Sequence, residues 1–589
     1  MGTISDKLMR IINTKEDIRQ ALISKGYDVP TSIPFKEYAK MISDLPCRVD
    51  SFPDIEGIVA RYSALGLTNE QMAENPVWKD LTDNGHDLQM KNFVWKGMSG
   101  VGGYTENYDS NRWYKVASRI DTTWTYKSFN VKSIKDNNAA QLFYQSLSSD
   151  TGFRVLSCTI KVSGLTDGQG IEYVSNGVQS TVITVIMRIE NDGIYHLPSF
   201  DFGAKNAYYG FRFLKLQESC NITIEQLPLY PGALVFDGVD DYGVCENFPI
   251  LTKEKGYTVV ALRQWITRGE IAQGLVSNVK NWLKDGAFLL EYRNIQAEHL
   301  NKPISFGAIG SEMDLPHILT YQTSKSYNGV SITTGNFEGT DVLHVGKLAP
   351  TNVGTCINAA IWELVFLDHD ATEEELTKIK DYFVKTYPWL FPDQAWTTVG
   401  KTNEDEDRAT IANITGNGND LVLSNFGFIE GSGYNEEGEH AGYLVTDGVD
   451  DMITSSAFQM GKDFTIVGDW KFIDNKKSGT GLVKGSSFYI YNTMIGLDLY
   501  INSGSVKNSL DGIKSINAAC SDGRAYDRNW NEILANTGNV VGSGGMLEVS
   551  SSGGRFDRIA FKNLAIYPRI LSKDDCIKAY NYLQTLKSK

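Results

Sequence analysis

The chain has 589 residues, room for roughly three to five domains, and its 42% apolar and 22% charged residues let each domain bury a core. With 56 basic against 71 acidic residues the net charge is −15, which disfavours nucleic acid and anionic membranes as partners. Seven widely spaced cysteines without a CxxC exclude a disulfide framework or a zinc cluster and point to buried free thiols in a chain folded in a reducing cytoplasm.

The opening residues run into an amphipathic pattern and not a signal peptide. No stretch approaches the roughly 18 apolar residues of a membrane span. Release from a cell would then need another route, such as lysis. Residues 1–45 predict short helices. Leu8, Ile11 and Ile12 share a face, and Thr14 with Asp17 reads as an N-cap with an acid in the first turn. Ile18, Ala21 and Leu22 continue the stripe to Gly26. Pro34 opens a third helix carrying Phe35, Tyr38, Ala39 and Ile42. Helices this short make a weak core alone, so the segment predicts an anchor or oligomerisation element. Residues 46–74 read as a linker.

From there the pattern is strand. Glycine at 55, proline at only 15, and 29 Tyr, 26 Phe and 11 Trp fit many short strands joined by Gly/Asn/Asp turns. A long internal repeat organises them. Leu234-Val235-Phe236-Asp237-Gly238-Val239-Asp240-Asp241 recurs 210 residues later as Leu444-Val445-Thr446-Asp447-Gly448-Val449-Asp450-Asp451. Tyr257-Thr258-Val259-Val260 recurs 207 later as Phe464-Thr465-Ile466-Val467. Ile361-Trp362-Glu363-Leu364 parallels Phe561-Lys562-Asn563-Leu564 at 200, and each of these strands runs into a helix capped by Thr372 with Glu375 or Ser572 with Asp575.

A fourth element repeats at a different distance. Thr82-Asp83-Asn84-Gly85-His86-Asp87-Leu88 parallels Thr415-Gly416-Asn417-Gly418-Asn419-Asp420-Leu421 at an offset of 333. The economical explanation is an insertion of residues 105–228 into the first copy. The insertion itself predicts strands around 153–162, 182–189, 208–216 and 222–224, with Val182 to Ile189 as a buried-strand run, and so a small β-sandwich. The domains are then 1–45, the linker 46–74, a first sandwich of 75–104 plus 229–392, the insert 105–228, and a second sandwich of 393–589.

The segments "LVFDGVDDYGV" and "LVTDGVDDMIT", each followed by a "YTVV" or "FTIV" strand and closed by a strand and a capped helix, resemble laminin-G-like (concanavalin A-like) jelly-roll domains. The resemblance implies a mainly β fold with two antiparallel jelly-roll sandwiches. Such sandwiches often bind glycans or proteins on a concave face or loop rim. The segment "KLMRIINTKEDIRQALISKG" and the block "MAENPVWKDLTDNGHDLQMKNFVWKGMSG" resemble virion fibre proteins of phages of gut Bacteroidales, crAss-like phages included. That similarity implies a place on the surface of a phage particle.

Carboxylates with backbone carbonyls can hold Ca²⁺, and many laminin-G-like domains carry it, so Asp237, Asp240 and Asp241 and, in the second copy, Asp447, Asp450 and Asp451 are candidate metal ligands. The preferred reading is structural, since Asp-Gly is a hairpin signal and the next Asp can cap a turn. A glycosidase needs two carboxylates flanking the cleaved bond. No strand carries the E-x-D-x-x-E pattern of concanavalin-like hydrolases, Glu373, Glu374 and Glu375 sit at a helix start, and the seven histidines are dispersed. We therefore expect no enzymatic activity. Trp530, in the polar stretch "RAYDRNWNEIL", and Trp113 and Trp124 of the insert are candidate platforms for stacking on sugars.

These readings predict a structural virion appendage, a head- or tail-fibre-like protein. Residues 1–45 would join it to other virion proteins, and its sandwiches would bind bacterial-surface polysaccharide or neighbouring virion proteins. Neither nucleic acid nor membrane is an expected partner. A homo-oligomer is expected, with a trimer favoured because fibres are usually trimers. The alternatives are a purely architectural subunit without glycan binding and a polysaccharide depolymerase.

Overall fold

The computed structural model describes Lys15, Arg19 and residues 52–587, apart from 117–119, 134–136, 146–152, 177–182, 203–207, 252–254, 268–272, 279–288, 293–303, 306–317, 332, 335–339, 348–355, 437–439, 441, 474–480, 485–487, 493–495, 502–507, 512–515, 535–543, 546, 550 and 553–554. Lys15 and Arg19 are helical; the rest of the segment 1–45 lies outside the described residues. The fold is mainly β, in antiparallel sheets that form three sandwiches. Among the described residues no helix is long and apolar enough to cross a membrane.

Each repeat is one sandwich. In the first, an eight-stranded sheet centres on Thr258–Thr267 paired with Asn358–Leu367, and a six-stranded sheet containing Leu88–Lys91, Tyr242–Cys245 and Leu343–Val345 faces it. In the second, Thr465–Phe472 pairs with Ile559–Tyr567 inside one eight-stranded sheet, and another eight-stranded sheet covers it. The two central strands are buried along nearly their whole length. Their side chains alternate between an inner core and an outer one, so both faces need apolar residues.

Both central pairs carry the same irregularity. The register against Thr258–Thr267 skips Trp362, and that against Thr465–Phe472 skips Lys562. A bulge at this point switches which residues face inward. Ala359 and Ile361 join the inner core before it, and Leu364 and Phe366 after it.

The linker expected over 46–74 is corrected by the structure from residue 58 on, residues 46–51 lying outside the described residues. The strand Ile58–Ser63 pairs with the outer half of Asn358–Leu367, as Gln394–Thr397 pairs with Ile559–Tyr567 in the second copy. The helix Asn69–Glu74 follows, with a capping box of Thr68 and Gln71. Asn69 and Asn403 then make the same contacts: each carboxamide oxygen accepts a backbone N–H, from Val101 or Tyr434, and each carboxamide nitrogen donates back to the same residue's carbonyl. The first sandwich thus begins by residue 58. Alternation failed to mark it because its strand is buried on both faces.

The insert forms two five-stranded sheets from Trp113–Lys115 through Asn221–Gln226. The chain enters and leaves it side by side, with Leu229 and Tyr230 N–H donating to the carbonyls of Gly103 and Gly102. The run expected as a buried strand is an edge strand, Thr184–Ile189, in which only Ile189 is fully buried.

The capped helices Glu373–Thr386 and Lys573–Gln584 do not close separate cores. Phe383, Tyr387 and Trp389 meet Tyr567, Tyr582 and Leu583 in one apolar layer between the outer faces of the two sandwiches. Tyr567 donates to the Trp389 carbonyl, and Arg569 to that of Val384.

Candidate functional site

The two acidic trios do come together. In each, the carboxylate oxygens lie within 4.8 Å of one another. The local sequence explains most of this without a ligand. Asp237 Oδ1 accepts the N–H of Val239 at 2.8 Å, and Asp447 Oδ1 that of Val449 at 2.7 Å. Gly238 and Gly448 sit at φ of 81° and 74°, where a side chain would be strained. Asp241 and Asp451 are buried; each accepts the N–H of the trio's first aspartate and the hydroxyl of Ser99 or Ser432.

The turn is not a hairpin. Leu234–Asp237 and Tyr242–Cys245 lie in opposite sheets, so the trio pins a corner where the chain crosses the sandwich. Burial, with the Asp237 carboxylate beside it, pushes Asp241 up to about 7. Burial likewise pushes Asp451 up to about 6. A divalent cation would relieve the same repulsion, and the exposed Asp240 and Asp450 carboxylates are on hand to complete its coordination.

The element "TDNGHD" and its partner "TGNGND" are equally structural. Asp80 Oδ1 accepts the N–H groups of Arg61 and Thr82, and Asn413 Oδ1 those of Ala395 and Thr415. A carboxylate and a carboxamide thus fill one role, tying the turn to the first strand of its sandwich.

Of the three expected sugar platforms, Trp113 is corrected and Trp124 is half-buried. Trp113 is 7% exposed and packs against Tyr108, Phe129 and Tyr209 in the insert's core. Trp124 packs against the same core, with its indole N–H donating to Thr122. A sandwich of two five-stranded sheets this small fills its interior with whichever large rings its inward positions supply.

Trp530 is also corrected as an exposed platform, being 2% exposed, yet it occupies a site. It lines a pocket of about 280 Å³ between the insert and the second sandwich. Its backbone stands at φ 62°, an uncommon conformation for an aromatic residue. The turn is held there by Asp527, whose Oδ1 accepts the N–H of Asn529 and of Asn531, each at 2.8 Å. Tyr580 meets the Trp530 ring edge-on at 5.6 Å between centroids.

The insert supplies the other wall with Arg188, Asn191, Tyr195 and His196. Arg188 pairs with Glu172 at 3.0 Å, a buried carboxylate that also takes Arg212. His196 donates to or accepts from Thr159 through Nδ1 at 3.2 Å, while its Nε2 is enclosed without a partner. Burial lowers His196 to about 3, so the ring is neutral. Behind the pocket lies Asp469. Burial alone would raise its carboxyl, but Lys562, Arg528 and the Tyr443 hydroxyl hold it below the usual range. The walls approach closely because position 193 is glycine: a Cβ there would meet Asn529 at 3.0 Å.

No linear motif marks this seam. Trp530 was the one signal, and its stretch is polar because Arg528 and Asn529 face the pocket rim.

No family model matches the chain, and no curated protein does. Among solved structures it is similar to Trypanosoma rangeli sialidase in complex with sialic acid, at 9% identity over 81% of this chain and 85% of that one, with a TM-score of 0.25. It is also similar to the botulinum neurotoxin serotype D binding domain, at 11% identity over 59% and 89% of the two chains, with a TM-score of 0.19. The expectation of a chain without enzymatic activity is corrected by this comparison, since glycosidases stand among the structures it resembles and a missing linear motif does not exclude catalysis. At these TM-scores the likeness assigns no reaction and no catalytic residue.

Proposed function

We propose that the chain is a surface protein of a bacteriophage particle, a head- or tail-fibre-like appendage whose interlocked sandwiches bind glycans of the bacterial surface. Residues 1–45 join it to other particle proteins and to further copies of itself, as a trimer.

The observation that carries the binding half is the seam pocket, where aromatic rings, amides and charged groups converge from two modules. The particle half is supported by the resemblance of the N-terminal segment. The block 72–100 adds less to it, because its repeated residues are scaffold: Asp80, Asn92 and Ser99 have counterparts in Asn413, Asn425 and Ser432 that make the same contacts.

The test has two arms. Antibody labelling of purified particles should place the chain on their surface; its absence from particles would overturn the particle reading. Purified chain should be retained by host surface polysaccharide, with reducing ends measured in the same incubations to register any cleavage. Consistent lack of retention across host glycans would sink the binding reading and leave an architectural subunit.

A further inference from the structure

We propose that the seam pocket takes an acidic sugar, a saccharide unit whose carboxylate is held between Arg188 of the insert and Arg528 of the second sandwich. This rests on the glycan-binding reading above and names the class of glycan.

Charge is the first reason. The chain as a whole carries −15, yet the pocket lining sets two guanidiniums against one carboxylate, Glu190, with His196 neutral; the Asp469 carboxylate that Arg528 also faces is buried outside the lining, beside Lys562. The guanidiniums come from opposite walls. Arg188 is oriented by Glu172, and because that single buried carboxylate is shared with Arg212, the group of three is cationic by one. Arg528 is exposed and leaves the turn pinned by Asp527, with its own carbonyl accepting from Asn517 at 3.3 Å. Planar guanidiniums suit a carboxylate, which each can grip through paired N–H groups.

The second reason is the rest of the lining. The half-buried Tyr195 offers apolar ring surface for the C–H face of a sugar, and the buried Trp530 and Tyr580 add apolar lining beside it. Asn191, Asn529 and the Thr159 hydroxyl offer donors and acceptors for sugar hydroxyls, and the orphaned His196 Nε2 gains the partner it lacks. Inorganic anions would use the arginines and leave the rings idle. About 280 Å³ is small for a ligand pocket, so a terminal or branch unit enters, and not a chain interior.

The site also requires the module arrangement, since neither sandwich holds both arginines. Gly193 controls the approach of the walls. A bulky residue there separates them without touching either arginine.

The experiment uses the full chain on an array of matched oligosaccharides, each carboxylated and carboxyl-reduced. Retention of carboxylated members only is expected. Arg528→Gln and Arg188→Gln should each weaken it about tenfold or more, the worth of one charge-assisted hydrogen bond. Gly193→Trp should abolish it while far-UV circular dichroism stays unchanged, and Lys79→Gln, an exposed side chain of the first sandwich outside the pocket lining, should retain it. Equal retention of reduced and carboxylated members would overturn the acidic-sugar inference and leave glycan binding standing. Carboxylate-dependent retention that survives Gly193→Trp and Arg528→Gln would place the site elsewhere and overturn the pocket. Retention of neither class would remove glycan binding itself.

Discussion

Asp241 and Asp451 hold the same corner in the two sandwiches, and both are carboxyls that proton uptake favours in the folded chain. Their ordinary value is 3.8, and folding raises it to about 7 and about 6. Between those limits the folded chain binds more protons than the unfolded one, so the stability these groups contribute at low pH is lost as pH rises through the window. Carboxylates held below their ordinary range, such as Asp87 and Glu375, act in the opposite sense at lower pH. The buried His196 and His344, held neutral, act oppositely over the same range, so the readout is a difference: between about pH 4 and pH 7 the melting temperature of the double variant Asp241→Asn with Asp451→Asn should fall less, or rise more, than that of the unaltered chain. An unchanged slope would clear the corner acids. Excess calcium at the upper pH separates the two readings of the trios. A rise in melting temperature that the double variant loses would make them metal sites, and no rise would leave them hydrogen-bonded corners. The sequence located all six aspartates correctly but, with Asp-Gly as the only cue, predicted a hairpin. Whether a turn returns to its own sheet or crosses to the other depends on the partners of its flanking strands, which are about 100 residues or more away.

At the scale of elements, the two copies solve one problem differently. Between the first sandwich's main sheet and its helix, Arg61 pairs with Glu363 at 2.6 Å, and Tyr387 donates to the same carboxylate at 2.8 Å. The register places Ala395 and Asn563 at the equivalent positions of the second copy. Breaking a buried pair leaves an uncompensated charge, so Arg61→Met should cost about 3–5 kcal/mol of unfolding free energy. Arg61→Ala with Glu363→Asn, which copies the second sandwich, should recover most of that loss. Urea denaturation measures both, and a double variant as unstable as the single one would refute the equivalence. The caps were legible: Thr372 accepts from the Glu375 N–H, and Ser572 from that of Asp575, as their spacing predicts. The bulge at Trp362 and Lys562 was not, since both faces of those strands are apolar and a change of phase leaves no trace in the pattern.

For the whole molecule, the insertion inferred from unequal offsets has a physical consequence. Because the chain enters and leaves the insert at paired backbone positions, replacing 105–228 by a short linker should leave the first sandwich folded, with its thermal transition retained. The same excision should abolish glycan retention, since it removes one wall of the seam and uncovers Trp530 and Tyr580. Loss of the remaining fold would mean that the insert is required to assemble the first sandwich. The described cysteines, Cys158, Cys220, Cys245, Cys356, Cys520 and Cys576, are free and buried, so the interlock rests on packing and hydrogen bonds.

By itself the sequence determined what local chemistry and repetition can carry: two copies of one sandwich, the split in the first, the turn glycines, the capped helices and the acidic corners. These depend on neighbours within a few residues, or on comparison of the chain with itself. The tertiary structure alone decided that residues 58–74 belong to the first sandwich, that the capped helices lie between the sandwiches, and that Trp113 is core. It alone brought Arg188 and His196 to Arg528 and Trp530, more than 300 positions along the chain. Those outcomes turn on which surfaces meet, and one missing Cβ at Gly193 bears on that more than any motif.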